Sequence, residues 1–314
     1  MTTGSLFELA RAPRVICAGL SAYDITWSVE SLPAGAGKRR ALDFRECGGG
    51  MAANAAAAAA RLGARASFWG RAGDDGAGIA MRDELARSNV DVAAFRLFEG
   101  ARSSVSGIVV DALGERAIVN FRGADLPADP SWLPLDAVAG ADAVLADPRW
   151  PEGALALFRA AREHGIPTVL DGDVADALVF DALLPWVDCA VFSEPGLAGY
   201  AAQAGDVAAQ LQVARLRGCA LAAVTLGGRG MAWADAAGTY RLPAFAVDAV
   251  DTTGAGDVFH GALAFALGAR VGVLEAFEFS TVVAALKCRQ AGGRAGVPDL
   301  ASALACLQRF KERA

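Results

Sequence analysis

No run of about 20 strongly apolar residues occurs in this chain, so no membrane-spanning helix is expected. There is no C-x-x-C pair, and only two histidines occur in 314 residues, which argues against a zinc site. The six cysteines, Cys17, Cys47, Cys189, Cys219, Cys288 and Cys306, stand singly. That is how small core residues of a reduced cytosolic protein are distributed. No basic block is present and the net charge is −6, so nucleic acid is a poor partner. Lys38-Arg39-Arg40 is a local exception to the acidic background. The first 14 residues carry Glu8, Arg11 and Arg14 without an apolar core, which predicts no signal peptide and a cytoplasmic location. The P-loop pattern G-x-x-x-x-G-K-[ST] is missing, as is a Ser/His/Asp hydrolase elbow. Gly48-x-Gly50-x-x-Ala53 matches a dinucleotide fingerprint only loosely and does not directly follow the first buried strand. No repeat, low-complexity tail or linker divides the chain, so residues 1–314 read as one domain.

What is present centres on Val250-Asp251-Thr252-Thr253-Gly254-Ala255-Gly256-Asp257-Val258-Phe259-His260-Gly261. An extended apolar run, Leu242 to Val250, precedes it and a helix opens after it. A Gly-Ala-Gly turn at a helix start presents N–H groups that no intrahelical carbonyl satisfies. With the positive end of the helix dipole they suit a phosphate or a developing anion. Asp257 has the wrong charge to bind that phosphate. It could be the base that takes the proton of an attacking hydroxyl. Alone, the motif also fits an ordinary turn whose Asp stabilises the helix dipole.

The rest of the chain alternates strand and helix. Arg14–Leu20 reads as a buried strand followed by Asp24, the position where open α/β sheets bind ligands. Tyr23–Val29 and Arg39–Glu46 read as short polar strands, and Ser104–Asp111 with Ala117–Phe121 as a hairpin. Together they predict a four-stranded lid over about 22–46 and 103–122 that could exclude water from a site. Gly48-Gly49-Gly50 leads into an Ala-rich helix, 51–62, with Asn54 in its first turn. The glycines let backbone approach a ligand closely. Ala66–Gly70 is a strand, and Asp74 and Asp75 are expected to supply the cap and first-turn charge of a helix over 76–88. From Ala141 onward come strands at 143–146, 168–171, 189–192 and 220–226, with helices between, then a hairpin at 231–241. Helices over 255–269, 273–291 and 299–310 finish the chain. This pattern predicts a mostly parallel sheet covered by helices on both faces.

Gly49-Gly50 with Asn54, the two-part lid, and Asp251-Thr252-Thr253-Gly254-Ala255-Gly256-Asp257 together resemble the ribokinase-like (PfkB-type) carbohydrate kinases, over nearly the whole chain. The resemblance implies a three-layer α/β/α sandwich with a β-lid and transfer of the ATP γ-phosphate to a primary sugar hydroxyl. By the same likeness Asp257 is the base, and Gly254, Ala255 and Gly256 supply the anion hole. Asp24, Gly49, Gly50 and Asn54 match sugar contacts. Thr225, Gly227, Ala284 and Ala285 match the nucleotide side. Asp251 and Thr253 match a site for a monovalent cation such as K+, completed by the segment up to Gly296. Mg2+ is expected with ATP, but the usual Asn-x-x-Glu is replaced by Ser193-Glu194-Pro195-Gly196. Glu194 is then either a substitute or an exposed helix-start residue. Homodimerisation through the lid is also implied. VLADPRW (144–150), TVLDGD (168–173), FSEPGLA (192–198), VDTTGAGDVFHGALA and AALKCRQAGGRAGVPD are similar to the 6-deoxy-6-sulfofructose kinase branch. In that branch Lys38, Asn120 and Arg149 match positions around the sulfonate, a permanent anion that cations and amides should bind. The alternatives are a solvated Lys38 and a structural ion pair at Arg149. A kinase for a fructose-like or ribose-like sugar, or a non-catalytic sugar- or nucleotide-binding regulator, would share the same frame.

Overall fold

The protein's structure, a computed structural model, describes residues 11–312, so most of the segment read as lacking a signal peptide lies outside the described residues. β1 (Arg14–Gly19) is buried at every position after the first. It pairs in parallel with β4 (Arg65–Gly73) on one side and β8 (Ala143–Ala146) on the other. β9 (Thr168–Gly172), β10 (Cys189–Ser193) and β11 (Leu221–Thr225) continue the sheet in parallel, and β5 (Phe95–Phe98) ends its far side. An antiparallel hairpin, β12 (Met231–Ala234) and β13 (Thr239–Leu242), forms the other edge. Among the described residues the order is β13-β12-β11-β10-β9-β8-β1-β4-β5. Central strands buried on both faces need apolar residues at every position, which is why AVLA and CAVF show no alternation.

Successive side chains serve opposite layers. Val15, Cys17, Leu145 and Val191 join a core with α1 (Met51–Arg61), α2 (Gly76–Arg87), α7 (Ala255–Gly268), α8 (Val273–Cys288) and α9 (Leu300–Lys311). Ile16, Ala18, Val144 and Ala190 join a second core with α3 (Pro151–Glu163), α4 (Ala177–Leu183), α5 (Glu194–Tyr200) and α6 (Val207–Leu216). The result is the expected three-layer α/β/α sandwich.

One helix contact positions the site. α1 buries Ala52, Ala53 and Ala55 to Ala59. On α7, a Cβ added to Gly261 would lie 2.3 Å from the Ala55 carbonyl oxygen. Small residues on both helices therefore bring the two backbones together, which aligns their N-terminal turns.

β2 (Ala22–Ser28), β3 (Asp43–Gly49), β6 (Val105–Val110) and β7 (Arg116–Phe121) form a separate sheet in the order β3-β2-β6-β7. This is the expected lid. β3 runs on to Gly49, further than the sequence pattern suggested, so the lid feeds directly into α1. Three other boundaries differ. The apolar stretch 243–250 forms no strand; Pro243 to Val247 instead line a cavity, so their apolar character serves a pocket and not the sheet. α8 stops at Cys288, whose carbonyl accepts from the amides of Val250 and Asp251. Asp75 caps α2 by accepting from Gly78 N–H, whereas Asp74 precedes the cap and adds no first-turn charge.

Candidate active site

The turn before α7 folds around Asp251. Its carboxylate accepts from the Thr253 amide at 2.8 Å and from the Gly292 amide at 2.9 Å. Gly254 then takes φ 70°, the left-handed region that side chains resist, and caps the helix. The Val258 amide makes the first helical bond, to Gly254 O. The amides ahead of it lack i−4 carbonyls and collect at the positive end of a buried helix. Of the three expected anion-hole amides, that of Ala255 already donates to Thr252 O at 3.2 Å. His260 ties this turn to the sheet, its ring nitrogens 2.7 Å from Gly256 O and 3.0 Å from Val191 O.

Asp257 sits in the first turn of α7. Its Oδ2 accepts from Asn54 Nδ2 at 2.6 Å, across the α1–α7 contact. Burial pushes the Asp257 carboxyl up to about 6; the Asn54 hydrogen bond and Arg294 pull it down, while Asp147 and Asp173 push it further up. A carboxylate tuned this way is charged at neutral pH yet basic enough to accept a proton from a hydroxyl in flight.

Sequence reasoning missed what holds Asn54. Arg294 Nε donates to Asn54 Oδ1 at 2.9 Å. The same guanidinium pairs with Glu84 Oε1 at 3.1 Å and donates to Gly49 O at 3.3 Å. Glu84 Oε2 in turn accepts from the Gly48 amide at 2.6 Å. A guanidinium has donors only, so its contact fixes which end of the Asn54 amide is oxygen and turns the NH2 toward Asp257. The available signal was one arginine inside the glycine-rich loop 292–296. Asp147 was also passed over. It is fully buried and accepts from the amides of Leu20, Ala52 and Arg149, which pins the start of α1 against β1 and β8.

The lid lies beside this cluster. Asp24, Ser106 and Asn120 face one another across β2, β6 and β7. Asn120 Nδ2 donates to Ser106 Oγ at 3.2 Å. Burial pushes the Asp24 carboxyl up, and a hydrogen bond from Ser106 with the Arg294 charge pulls it only partly back. On the far side, Arg149 Nη2 donates to Asp173 Oδ2 at 3.0 Å and stays partly exposed. Lys38 lies in the exposed turn between β2 and β3. Among the described residues, no contact links Lys38 to Asn120 or Arg149.

A cavity of about 660 Å³ adjoins the α7 turn. Thr225, Gly227, Ala284 and Ala285 line it together with Thr252, Gly256 and Phe259, so the residues matched to the nucleotide side meet the candidate anion hole. Glu194 stands near its edge, but both its oxygens hold Arg229 Nη2, at 2.6 and 2.5 Å. Among the described residues, no group of three or more His, Cys, Asp or Glu side chains could hold a metal ion by itself. The donor set fits Mg2+ bound mainly through nucleotide phosphates, the usual mode of that ion.

Asp251 and Thr253 are already engaged. Lys287 Nζ donates to Asp251 O at 2.9 Å. Arg116, from lid strand β7, donates to Thr253 Oγ1 at 2.6 Å and Thr252 Oγ1 at 3.3 Å. Burial pushes the Asp251 carboxyl up, but its hydrogen bonds and Lys287 outweigh that and hold it below the usual range.

Comparison with known proteins gives a consistent picture. The family model described as "pfkB family carbohydrate kinase" matches residues 12–300. The chain is 30% identical to an ATP-dependent ribose-1-phosphate kinase of Halopiger xanaduensis, over 95% of this chain and 99% of that protein. It is 34% identical to a fructokinase of Klebsiella pneumoniae, over 77% and 82% of the two chains. The solved structure of Arabidopsis thaliana ribokinase complexed with ribose and ATP shares the fold, with a TM-score of 0.82, 24% identity, and coverage of 95% and 99%.

Proposed function

Because the chain belongs to the pfkB family of carbohydrate kinases and is an ATP-dependent sugar kinase, we propose that its acceptor is the 1-hydroxyl of a ketose carrying a terminal anion, 6-deoxy-6-sulfofructose. The observation that carries this reading is Arg149, a partly exposed guanidinium just past β8, with Asn120 on the lid sheet in the Asp24 row. A sulfonate keeps its charge at all physiological pH values. It therefore favours a site with a permanent cation and amide donors.

In this reading Asp24, Gly49, Gly50 and Asn54 hold the sugar hydroxyls. Asp257 accepts the proton of the attacking hydroxyl, and the amides of the α7 turn stabilise the charge that develops on the transferred phosphoryl group. ATP occupies the cavity between Thr225–Gly227 and Ala284–Ala285. Mg2+ neutralises its phosphates. The Glu194–Arg229 pair supports a structural role for Glu194 at the cavity edge in place of metal binding.

The test is an ADP-release assay across 6-deoxy-6-sulfofructose, fructose, fructose 6-phosphate and ribose. Preferential turnover of the sulfonated sugar is expected. Equal turnover of fructose and the sulfonated sugar removes the anion clamp. Preference for ribose favours the activity of the ribokinase relatives, and ATP binding without any turnover favours a regulator. Arg149→Ala should raise KM for the sulfonated sugar far more than for fructose; equal effects would make Arg149 an ion-pair partner of Asp173 only.

We also infer that the protein is a homodimer through its lid. Phe44, Val119 and Phe121 are exposed on one face of that sheet, with Leu42 beside it, and such a patch favours association.

A further inference from the structure

The segment matched to a monovalent-cation site holds a cation of its own. Lys287 lies on α8 and is fully buried, with a relative exposure of 0%. Lysine is among the side chains least often found in that state without a partner. Its ammonium donates to Asp251 O at 2.9 Å. The groups around it close the space further. Asp251 Oδ1 takes the Thr253 amide and Oδ2 takes the Gly292 amide. The Arg116 guanidinium stands 3.8 Å from Asp251 Oδ1 and holds the hydroxyls of Thr252 and Thr253. A carboxylate and a backbone carbonyl are ligands a K+ ion would use here, and each already accepts hydrogen bonds from an amide or an ammonium. A free cation placed here would sit beside a fixed ammonium in a low-dielectric interior, where like charges repel strongly.

We propose that the Lys287 ammonium replaces the monovalent cation, with Arg116 as a second fixed charge, so that this kinase binds nucleotide and turns over without K+. An ammonium carries the same single charge as K+ and offers donors to the same carbonyl. Tethered to α8, it holds Asp251 O, one residue before Thr252 and three before Gly254. It thereby fixes the entry to the anion-hole turn with no ion to bind or lose. Lys287 is a positioning residue in this scheme, acting through the 251–254 turn.

The experiment compares tetramethylammonium with K+ at constant ionic strength. Two properties are read: the affinity for ADP with Mg2+, by calorimetry, and ADP release with whichever sugar is turned over. Coupling between sites typically changes affinity by about 5- to 150-fold, so independence means a change below about fivefold in both. A K+ effect above that overturns the proposal. Lys287→Ala removes the ammonium and leaves room for an ion. It should weaken ADP binding by more than about fivefold in tetramethylammonium, with K+ restoring part of the loss. A variant that binds ADP as the parent does in tetramethylammonium overturns the proposal too. Should the variant fail to fold, the parent titration decides alone. The ADP arm needs no sugar, so failure of the sulfonated-sugar reading leaves this test intact.

Discussion

At the scale of single residues, the proposed chemistry rests on one carboxylate, Asp257, and the chain of contacts behind it. Asp257→Asn removes the proposed proton acceptor and should lower kcat by about 10²- to 10⁴-fold, with ADP affinity nearly unchanged; unaltered kcat would exclude Asp257 from the mechanism. In the parent, kcat/KM should rise with pH through about 6, as Asp257 loses its proton. The same burial has a cost in stability. The folded-state pKa lies above the ordinary value of 3.8, so the folded protein binds the proton more tightly than the unfolded chain. Stability from this group is greatest at low pH and falls as the pH rises through about 6. Asp257→Asn should therefore raise Tm at pH 8 and leave it unchanged near pH 4; an equal shift at both would point to packing. Arg294 separates positioning from structure. Arg294→Ala frees the Asn54 amide to turn over, so kcat should drop and the rising limb of the pH profile should move up. Arg294→Lys should restore little, because an ammonium cannot reach Asn54, Glu84 and Gly49 in one plane. A normal pH profile in Arg294→Ala would leave Arg294 with a packing role only.

At the scale of elements, two helix N-termini meet because small residues let them. The alanines of α1 were legible as helix formers, but their use is to admit α7. Gly261→Val would press a side chain on the Ala55 carbonyl. Overpacking typically costs about 1–3 kcal/mol. The expected result is a Tm lower by several degrees and a loss of kcat beyond what the stability loss explains, since the Asn54–Asp257 distance depends on this contact. A variant with normal Tm and kcat would show that α1 can shift freely. The stretch 243–250 teaches a related point. Its apolar composition read as an extended run, yet it has no partner edge to pair with beyond Leu242, where β13 ends. Apolar residues beside a cavity look the same in sequence as apolar residues in a sheet.

At the scale of the whole molecule, the lid is a second small sheet with an apolar outer surface. On one face of β7, Val119 is 79% exposed and Phe121 40% exposed. Small sheets with apolar faces are marginal alone, which favours pairing with a second copy. Light scattering after size exclusion should give twice the chain mass of 32.1 kDa. Val119→Asp should shift the protein toward monomer while leaving its far-UV spectrum unchanged. A parent that runs as a monomer at assay concentration would remove the lid-dimer reading. Arg116 connects this lid to the Thr252–Thr253 turn, so the lid and the candidate anion hole are joined by one side chain.

The sequence by itself determined the layer order, the lid and the glycine turns that open α1 and α7; that Asn54 meets Asp257, 203 positions away, came from the packing of those two helices. These follow from local rules: alternation of apolar strands and helices, glycine where φ is positive, and capping residues at helix starts. Residues close in such motifs carry their meaning with them. What only the tertiary structure decided involves residues far apart in the chain. Arg294 meets Asn54 and Glu84 across about 240 and 210 positions. Arg116 reaches Thr253 from the lid, and Lys287 comes from α8 to the Asp251 carbonyl. A lone Arg or Lys in sequence reads as a solvated surface charge, because solvation is the cheaper fate for an ion. Burial beside a specific carbonyl or amide overrides that expectation, and only the packed helices and the closed loop 292–296 create it.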